Sequence, residues 1–392
     1  MELNKPQEEE ETFKDAIPYL YDLFVEIEQG STCQTAISLR DFEIDNEKET
    51  ETYSFISSVS NEDGTFAMNT ATVSITTKQT IEGRHDHYLH CKRHELRHKG
   101  IHVSSSELCA LPSECNRIRQ APGNRGPLSD RLAARQADGT VLLFKDHKTT
   151  LPTSLHGASG DMFPISWAPT NYLSTASTEG AVVYWDLEGG DQQAMSLKTS
   201  WADRTINDID WLDNHTMLVS TDGKSLAVLD TRMATPAAVV EEAHYDDVIC
   251  GKHGPDNYVI TCAGKDWVLR DLRALGTPLY YAPETHKDDI YALEWSPAIP
   301  TVFATGATDG SVRVWDLALV GREQATGDKE DGPPELVFDH RGHEETVNDL
   351  QWSSRPWTLV SAGGECSVQM WEPAQTSHRT VQPWDIKDDD VM

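Results

Sequence analysis

The stretch Ile290-Tyr291-Ala292-Leu293-Glu294-Trp295-Ser296-Pro297, continued by Phe303-Ala304-Thr305-Gly306-Ala307-Thr308-Asp309-Gly310-Ser311-Val312-Arg313-Val314-Trp315-Asp316, decides the fold. Three short runs of apolar and small residues are punctuated by Ser-Pro and Asp-Gly, which reads as three strands and their turns. The pattern recurs. Other copies end at Trp185-Asp186, Leu229-Asp230, Arg270-Asp271 and Trp371-Glu372, and a weaker one ends at Phe144-Lys145. Successive ends are about 41, 44, 41, 45 and 56 residues apart, a period that marks a repeat array. One such unit cannot bury both its faces, so the units must close into a ring. Upstream, Ile37, Leu39, Phe42 and Ile44, then Tyr53–Val59 and Phe66–Thr76, alternate like strands around an Asn61-Glu62-Asp63-Gly64 turn. They supply a seventh unit. The ring is expected to close by pairing an N-terminal strand with the last unit.

Two stretches stand outside the repeat. Residues 1–11 read as an acidic, flexible tail. Phe13, Ile17, Leu20, Tyr21, Phe24 and Ile27 then fall three or four apart, which predicts one apolar helical face within 12–30. Pro18 fits a first turn and Gly30 a stop. The expected fold is therefore all-β, a seven-bladed ring over 31–374 with an N-terminal α-helix packed on its side. Residues 375–392 form a tail. The long final gap holds the second stretch, Glu330-Asp331-Gly332-Pro333-Pro334-Glu335-Leu336-Val337-Phe338, within a loop over 321–341. Its two prolines lack a backbone donor, so it cannot be a central strand. It is stiff, and a stiff loop loses little entropy on binding.

The 392 residues carry a net charge of −31. Such a chain repels nucleic acid and attracts basic partners. There is no apolar run of about 18 residues, so no membrane-spanning helix is expected, and the acidic start is neither a signal nor a transit peptide. The seven cysteines are scattered without a CxxC, as in reduced intracellular proteins.

The units resemble WD40 repeats. In the clearest copy His286, Thr305, Asp309 and Trp315 match that family's structural hydrogen-bond tetrad. The resemblance narrows at Ile17-Pro18-Tyr19-Leu20-Tyr21-Asp22-Leu23, at Glu114-Cys115-Asn116-Arg117, at His286-Lys287-Asp288-Asp289-Ile290-Tyr291 and at the double-proline loop. These stretches are similar to the histone-binding WD40-repeat proteins, the retinoblastoma-associated and chromatin-assembly-factor histone chaperones. The resemblance implies a non-catalytic scaffold for histones H4 and H3 in the nucleus, with or without a cytoplasmic pool. Its partners would be chromatin assembly, acetyltransferase, deacetylase or methyltransferase complexes. It implies a side groove for the first helix of histone H4, floored by Leu20, Leu23, Phe24, Pro333, Pro334, Leu336 and Phe338 and lipped by Asp328, Glu330 and Asp331. It also implies a top-face site for an H3-like basic tail at Glu114, Asn116, Asp161, Phe163, Asn207, Asp289 and Tyr291. The chain departs from the family pattern at Gln29-Gly30-Ser31-Thr32-Cys33, at Asn207, at Asp339 and at Gly251-Lys252-His253.

Other signals are weaker. Residues 84–102 hold His85, His87, His90, Cys91, His94, His98 and His102 among arginines and lysines. Their spacing matches no standard zinc site, so a solvated basic loop is expected, with no metal and no cofactor. Asp230-Thr231-Arg232 and Asp271-Leu272-Arg273 resemble the WDxR box of cullin-ligase substrate receptors, but without its tryptophan. A ligase substrate receptor, or a generic WD40 scaffold for basic cargo, is the alternative reading. No GxSxG, HExxH, P-loop or dinucleotide fingerprint occurs, so no enzyme is expected.

Overall fold

Each repeat folds as an antiparallel four-stranded sheet, and seven such sheets are present. The structure, a computed structural model, describes residues 13–14, 16–17, 19–29, 32–45, 50–76, 101–122, 130–177, 180–188, 194–198, 204–324, 329 and 332–374. Blade 1 comprises β2 (Ala36–Asp45), β3 (Thr50–Ser60), β4 (Phe66–Thr76) and β5 (Ile101–Leu111). β5 begins inside the stretch expected as a loop to residue 102; residues 84–100 lie outside the described residues. Blade 2 comprises β6 (Cys115–Gln120), β7 (Leu132–Gln136), β8 (Val141–Phe144) and β9 (Thr153–Leu155). Blade 3 holds β10 (Ile165–Trp167), β11 (Tyr172–Ser177), β12 (Ala181–Asp186) and β13 (Met195–Lys198). Blade 4 holds β14 (Ile206–Trp211), β15 (Thr216–Thr221), β16 (Ser225–Asp230) and β17 (Ala238–Val240). Blade 5 holds β18 (Val248–His253), β19 (Tyr258–Ala263), β20 (Asp266–Asp271) and β21 (Pro278–Ala282). Blade 6 holds β22 (Ile290–Trp295), β23 (Val302–Ala307), β24 (Val312–Asp316) and β25 (Leu336–His340).

Blade 7 is built from both ends of the chain. Its sheet order places β1 (Tyr21–Glu28) outside β28 (Ser367–Pro373), β27 (Leu359–Gly363) and β26 (Val347–Trp352). β1 runs antiparallel to β28, from Tyr21 opposite Pro373 to Glu28 opposite Ser367. This is the expected closure of the ring, joining the chain's first strand to its last.

It also corrects the helix. Tyr21–Glu28 is a strand, not the second half of a helix over 12–30. Among the described residues upstream of it, Phe13, Lys14, Ala16, Ile17, Tyr19 and Leu20 have helical backbone. The strand imitates a helix for two reasons. Asp22 is an extra residue, because the pairing register shifts between Tyr21 and Leu23. The bulge brings Tyr21 and Phe24 to one face, three residues apart. The strand is also buried on both faces. Tyr21 and Phe24 pack with Phe338, Trp352 and Trp371, whereas Leu23, Val25 and Ile27 pack against Ala36, Tyr53 and Phe55 of blade 1. With both faces apolar, the period-2 signal vanishes.

Tryptophans at the ends of innermost strands tie blade to blade. Trp167 donates to the Arg119 carbonyl at 3.0 Å, Trp295 to Lys252 at 3.2 Å and Trp352 to Glu294 at 3.1 Å. In blade 5 that position is His253, whose backbone N–H instead donates to Asp210 at 2.8 Å. Gly254 follows because a Cβ there would meet the Trp295 ring at 2.3 Å.

Candidate functional site

The seam between blades 6 and 7 brings together part of the first expected site: Phe24 and Phe338, with Phe13 and Tyr21. Tyr21 and Phe338 contact edge to face with centroids 5.3 Å apart, and Phe13 stands 5.7 Å from Phe24. The Tyr21 hydroxyl and His340 Nδ1 are 2.7 Å apart, and the His340 ring stacks on Trp371 at 4.2 Å. Burial, with Asp339 adding to it, pushes the Tyr21 phenol well above its ordinary range, so it remains a neutral hydrogen-bonding group. The segment before the ring and the strand after the double proline therefore share one cluster.

Within that cluster the expected floor residues divide. Phe24 is 0% exposed and Leu23 3%, so both are core. Leu23 points away, into the packing between blades 7 and 1. Phe338 is buried, while Leu336 is half-buried against the core of blades 5 and 6. The open apolar surface is Leu20, 41% exposed, and Tyr19, 62% exposed. Pro333 is exposed and Pro334 half-buried, in a turn closed by Leu336 N–H donating to the Pro333 carbonyl at 3.0 Å. Gly332 has φ +128, a value that favours glycine. Glu335 anchors the loop; it is 2% exposed and accepts from the Tyr280 hydroxyl at 2.6 Å. Sequence reasoning missed it because a carboxylate in an acidic loop reads as solvated. Asp328, Glu330 and Asp331 lie outside the described residues.

The second expected site surrounds the central channel, where a cavity of about 510 Å³ opens. Asp161, Phe163, Asn207 and Tyr291 line it. Phe163 and Tyr291 are each 47% exposed. Asn116 is buried and donates to Asp161 at 2.5 Å and to the Met162 carbonyl at 3.1 Å, so it holds the mouth rather than facing it. Asn207 donates to the Val248 carbonyl at 3.0 Å. Glu114 accepts from Gln34 at 3.4 Å and Ser60 at 3.2 Å, and Asp289 is exposed. Neither Glu114 nor Asp289 is a lining residue of the cavity.

Deeper in the channel lies a charged ring that sequence reasoning missed. Asp349, with a fully buried side chain, is held by Arg117 at 2.6 Å and by Arg119 at 2.8 Å. Lys252 meets Asp208 at 2.8 Å. Burial opposes charge on Lys252, but Asp208, Asp210 and Glu294 outweigh it and hold its pKa above the ordinary value. Asp210 is pushed up to about 7 by burial, against the pull of Lys252. The available signal was the alternate spacing of Arg117 and Arg119, and of Asp208 and Asp210, which puts each pair on one face of an innermost strand.

The remaining polar motifs are accounted for locally. In blade 6 His286 Nε2 lies 2.7 Å from Thr305 Oγ1, which also accepts from Trp315 at 2.8 Å. Asp309 Oδ1 is 3.5 Å from His286 Nδ1, and Ser311 bridges the two. Blade 7 repeats the device with His343, Ser361, Trp371 and Glu365. Arg232 and Arg273 fold back onto Asp230 and Asp271, at 2.7 and 2.6 Å. Each arginine is thus engaged with the carboxylate of its own blade end.

The WD domain, G-beta repeat family model matches residues 278–316. Among curated relatives, histone acetyltransferase type B subunit 2 of Debaryomyces hansenii is 30% identical over 299 residues, covering 71% of this chain and 71% of its own. Histone-binding protein MSI1 of Saccharomyces cerevisiae is 25% identical, covering 67% and 68%. Histone acetyltransferase type B subunit 2 of Kluyveromyces lactis is 25% identical, covering 74% and 73%. Among solved structures, a chain of the crystal structure of mitotic checkpoint complex superposes with a TM-score of 0.57 at 15% identity, covering 81% of this chain and 83% of that one; this likeness shows the fold alone. Repeat, ring closure and relatives converge: the chain belongs to the histone-binding WD40-repeat family.

Proposed function

We propose that the protein is a non-catalytic nuclear scaffold that holds histones for chromatin-assembly and histone-modifying enzymes. The observation that carries this reading is the seam of blades 6 and 7, where the N-terminal segment and the double-proline strand meet in one apolar cluster. A basic amphipathic helix such as the first helix of histone H4 needs an apolar strip beside carboxylates. Tyr19 and Leu20 offer exposed apolar surface on the N-terminal side, and Pro333 is exposed on the other. The acidic residues Asp328, Glu330 and Asp331 stand immediately before Gly332 in sequence, where they would meet the helix's arginines and lysines. Phe24 and Phe338 act from beneath, by fixing the two walls, whereas Leu23 holds the N-terminal strand from its other face.

The channel mouth is the second contact, for an H3-like basic tail. Phe163 and Tyr291 present aromatic faces that suit a cation, and Asp161 lies beside them in the lining. The deeper acids are engaged by Arg117, Arg119 and Lys252, so a tail binds at the mouth. Pull-down of the full chain with an H4 first-helix peptide tests the proposal. Retention that is lost in Leu20→Asp supports it; no retention at moderate salt contradicts it.

A further inference from the structure

Blade 5 lacks two members of the polar tetrad that blades 6 and 7 possess. His244 Nε2 lies 2.7 Å from Thr261 Oγ1, as His286 does from Thr305. The tryptophan is replaced: Arg270 precedes Asp271 and pairs with Val259, just as Trp315 precedes Asp316 and pairs with Phe303. The acid is gone as well, and among the described residues His244 Nδ1 has no hydrogen-bond partner. Asp266 is buried, and it accepts from the Tyr281 hydroxyl and from Glu284 N–H rather than from His244.

The replacement leaves a buried cation with no counter-ion among the described residues. Arg270 is 2% exposed. Its guanidinium donates to the carbonyls of Leu275 and Ala243, and its Nε has no partner among the described residues. Burial lowers its pKa, and no carboxylate offsets that effect. Buried charges in proteins are ordinarily paired, because desolvation is otherwise uncompensated. Arg119, by contrast, is paired with Asp349. A cavity of about 540 Å³ opens beside Arg270 between blades 4 and 5. Its walls include exposed Lys224, Glu242, Tyr245 and Tyr281, with buried His244 behind them. Tyr245 is 52% and Tyr281 47% exposed. The volume exceeds what a lone anion needs, and the two tyrosines suit apolar neighbours of a charged group.

We propose that this cavity docks a short acidic peptide segment of a partner protein, its carboxylate on Arg270 and its flanking apolar side chains on Tyr245 and Tyr281. An arginine fork and a carboxylate form the strongest class of protein hydrogen bond. The site is independent of the histone groove and takes the opposite charge. Its salt response is therefore opposite in sign. The chain's net charge of −31 repels an acidic peptide, and salt screens that repulsion.

The test is fluorescence anisotropy of the full chain with a blocked Gly-Phe-Glu-Glu-Leu-Gly peptide and its Gln-Gln counterpart. The acidic peptide is expected to bind, the neutral one about tenfold or more weakly, and affinity should not fall as salt rises to physiological strength. Arg270→Gln should abolish binding. Arg270→Trp, which restores the indole of blade 6, should abolish it with an unchanged or higher melting temperature. Should Arg270→Gln misfold, the surface variants Lys224→Glu and Tyr281→Ala carry the test, each weakening binding several-fold. Equal affinity for the two peptides, unchanged binding by Arg270→Trp, or no peptide binding while inorganic phosphate alone raises the melting temperature would each overturn the proposal.

Discussion

The Tyr21 hydroxyl lies 2.7 Å from His340 Nδ1, joining the first strand of the chain to the outer strand of blade 6 across 319 residues. Tyr21 belongs to the outer strand of blade 7, so this bond spans the seam beside the ring closure. His340 continues it inward, at 2.9 Å from Gln369 Oε1, and Gln369 donates to Glu26 at 2.9 Å. The first strand is thus fixed at both its ladder and its side chains.

Tyr21→Phe keeps the aromatic packing and removes the hydroxyl bond. Urea unfolding should show a loss of about 1–3 kcal/mol, because a buried ring nitrogen loses its partner. An unchanged midpoint would mean the bond contributes nothing to closure.

Leu20 and Leu23 should separate binding from folding. Leu20 is open, and Leu20→Asp is expected to leave the melting temperature within a few degrees of wild type while H4 peptide retention disappears. Leu23 is core at 3% exposure. Leu23→Asp buries a charge without a partner and should yield insoluble or unfolded chain. Differential scanning fluorimetry beside the pull-down distinguishes the two.

Thr305 accepts from Trp315 and pairs with His286. Thr305→Val conserves shape but strands both partners in the core. A cost of about 2–4 kcal/mol is expected, with no direct effect on a histone contact.

Asp210 carries a pH dependence. Its folded pKa, raised to about 7 by burial, exceeds the unfolded value near 4. The folded state therefore binds more protons between these values, and this group's contribution is fully favourable only below about 4 and lost as pH rises through about 7. Asp210→Asn removes that contribution. The variant should gain stability relative to wild type as pH rises from 5 to 8, read by urea titration at each pH; a constant difference would contradict the burial argument.

Much of the ring was legible because the repeat carries its own punctuation: Asp309-Gly310 turns, Trp315-Asp316 ends and a period near one blade. Closure by an N-terminal strand was legible too, but its residues were not. A bulge at Asp22 and burial on both faces gave Tyr21–Ile27 the spacing of a helix. The groove implied by the resemblance took in Leu23 and Phe24 as well, whereas the strand buries both. The charged channel was hidden for another reason. Arg117, Lys252, Asp208 and Asp349 pair across blades more than 40 residues apart, and nothing local announces such partners.

The central claim is that the seam of blades 6 and 7, not the channel, holds the histone helix. Isothermal titration of an H4 first-helix peptide into wild type, Leu20→Asp and Phe163→Ala decides it. The account predicts binding that weakens with salt, is abolished by Leu20→Asp and is retained by Phe163→Ala. Retention by Leu20→Asp with loss in Phe163→Ala would contradict it.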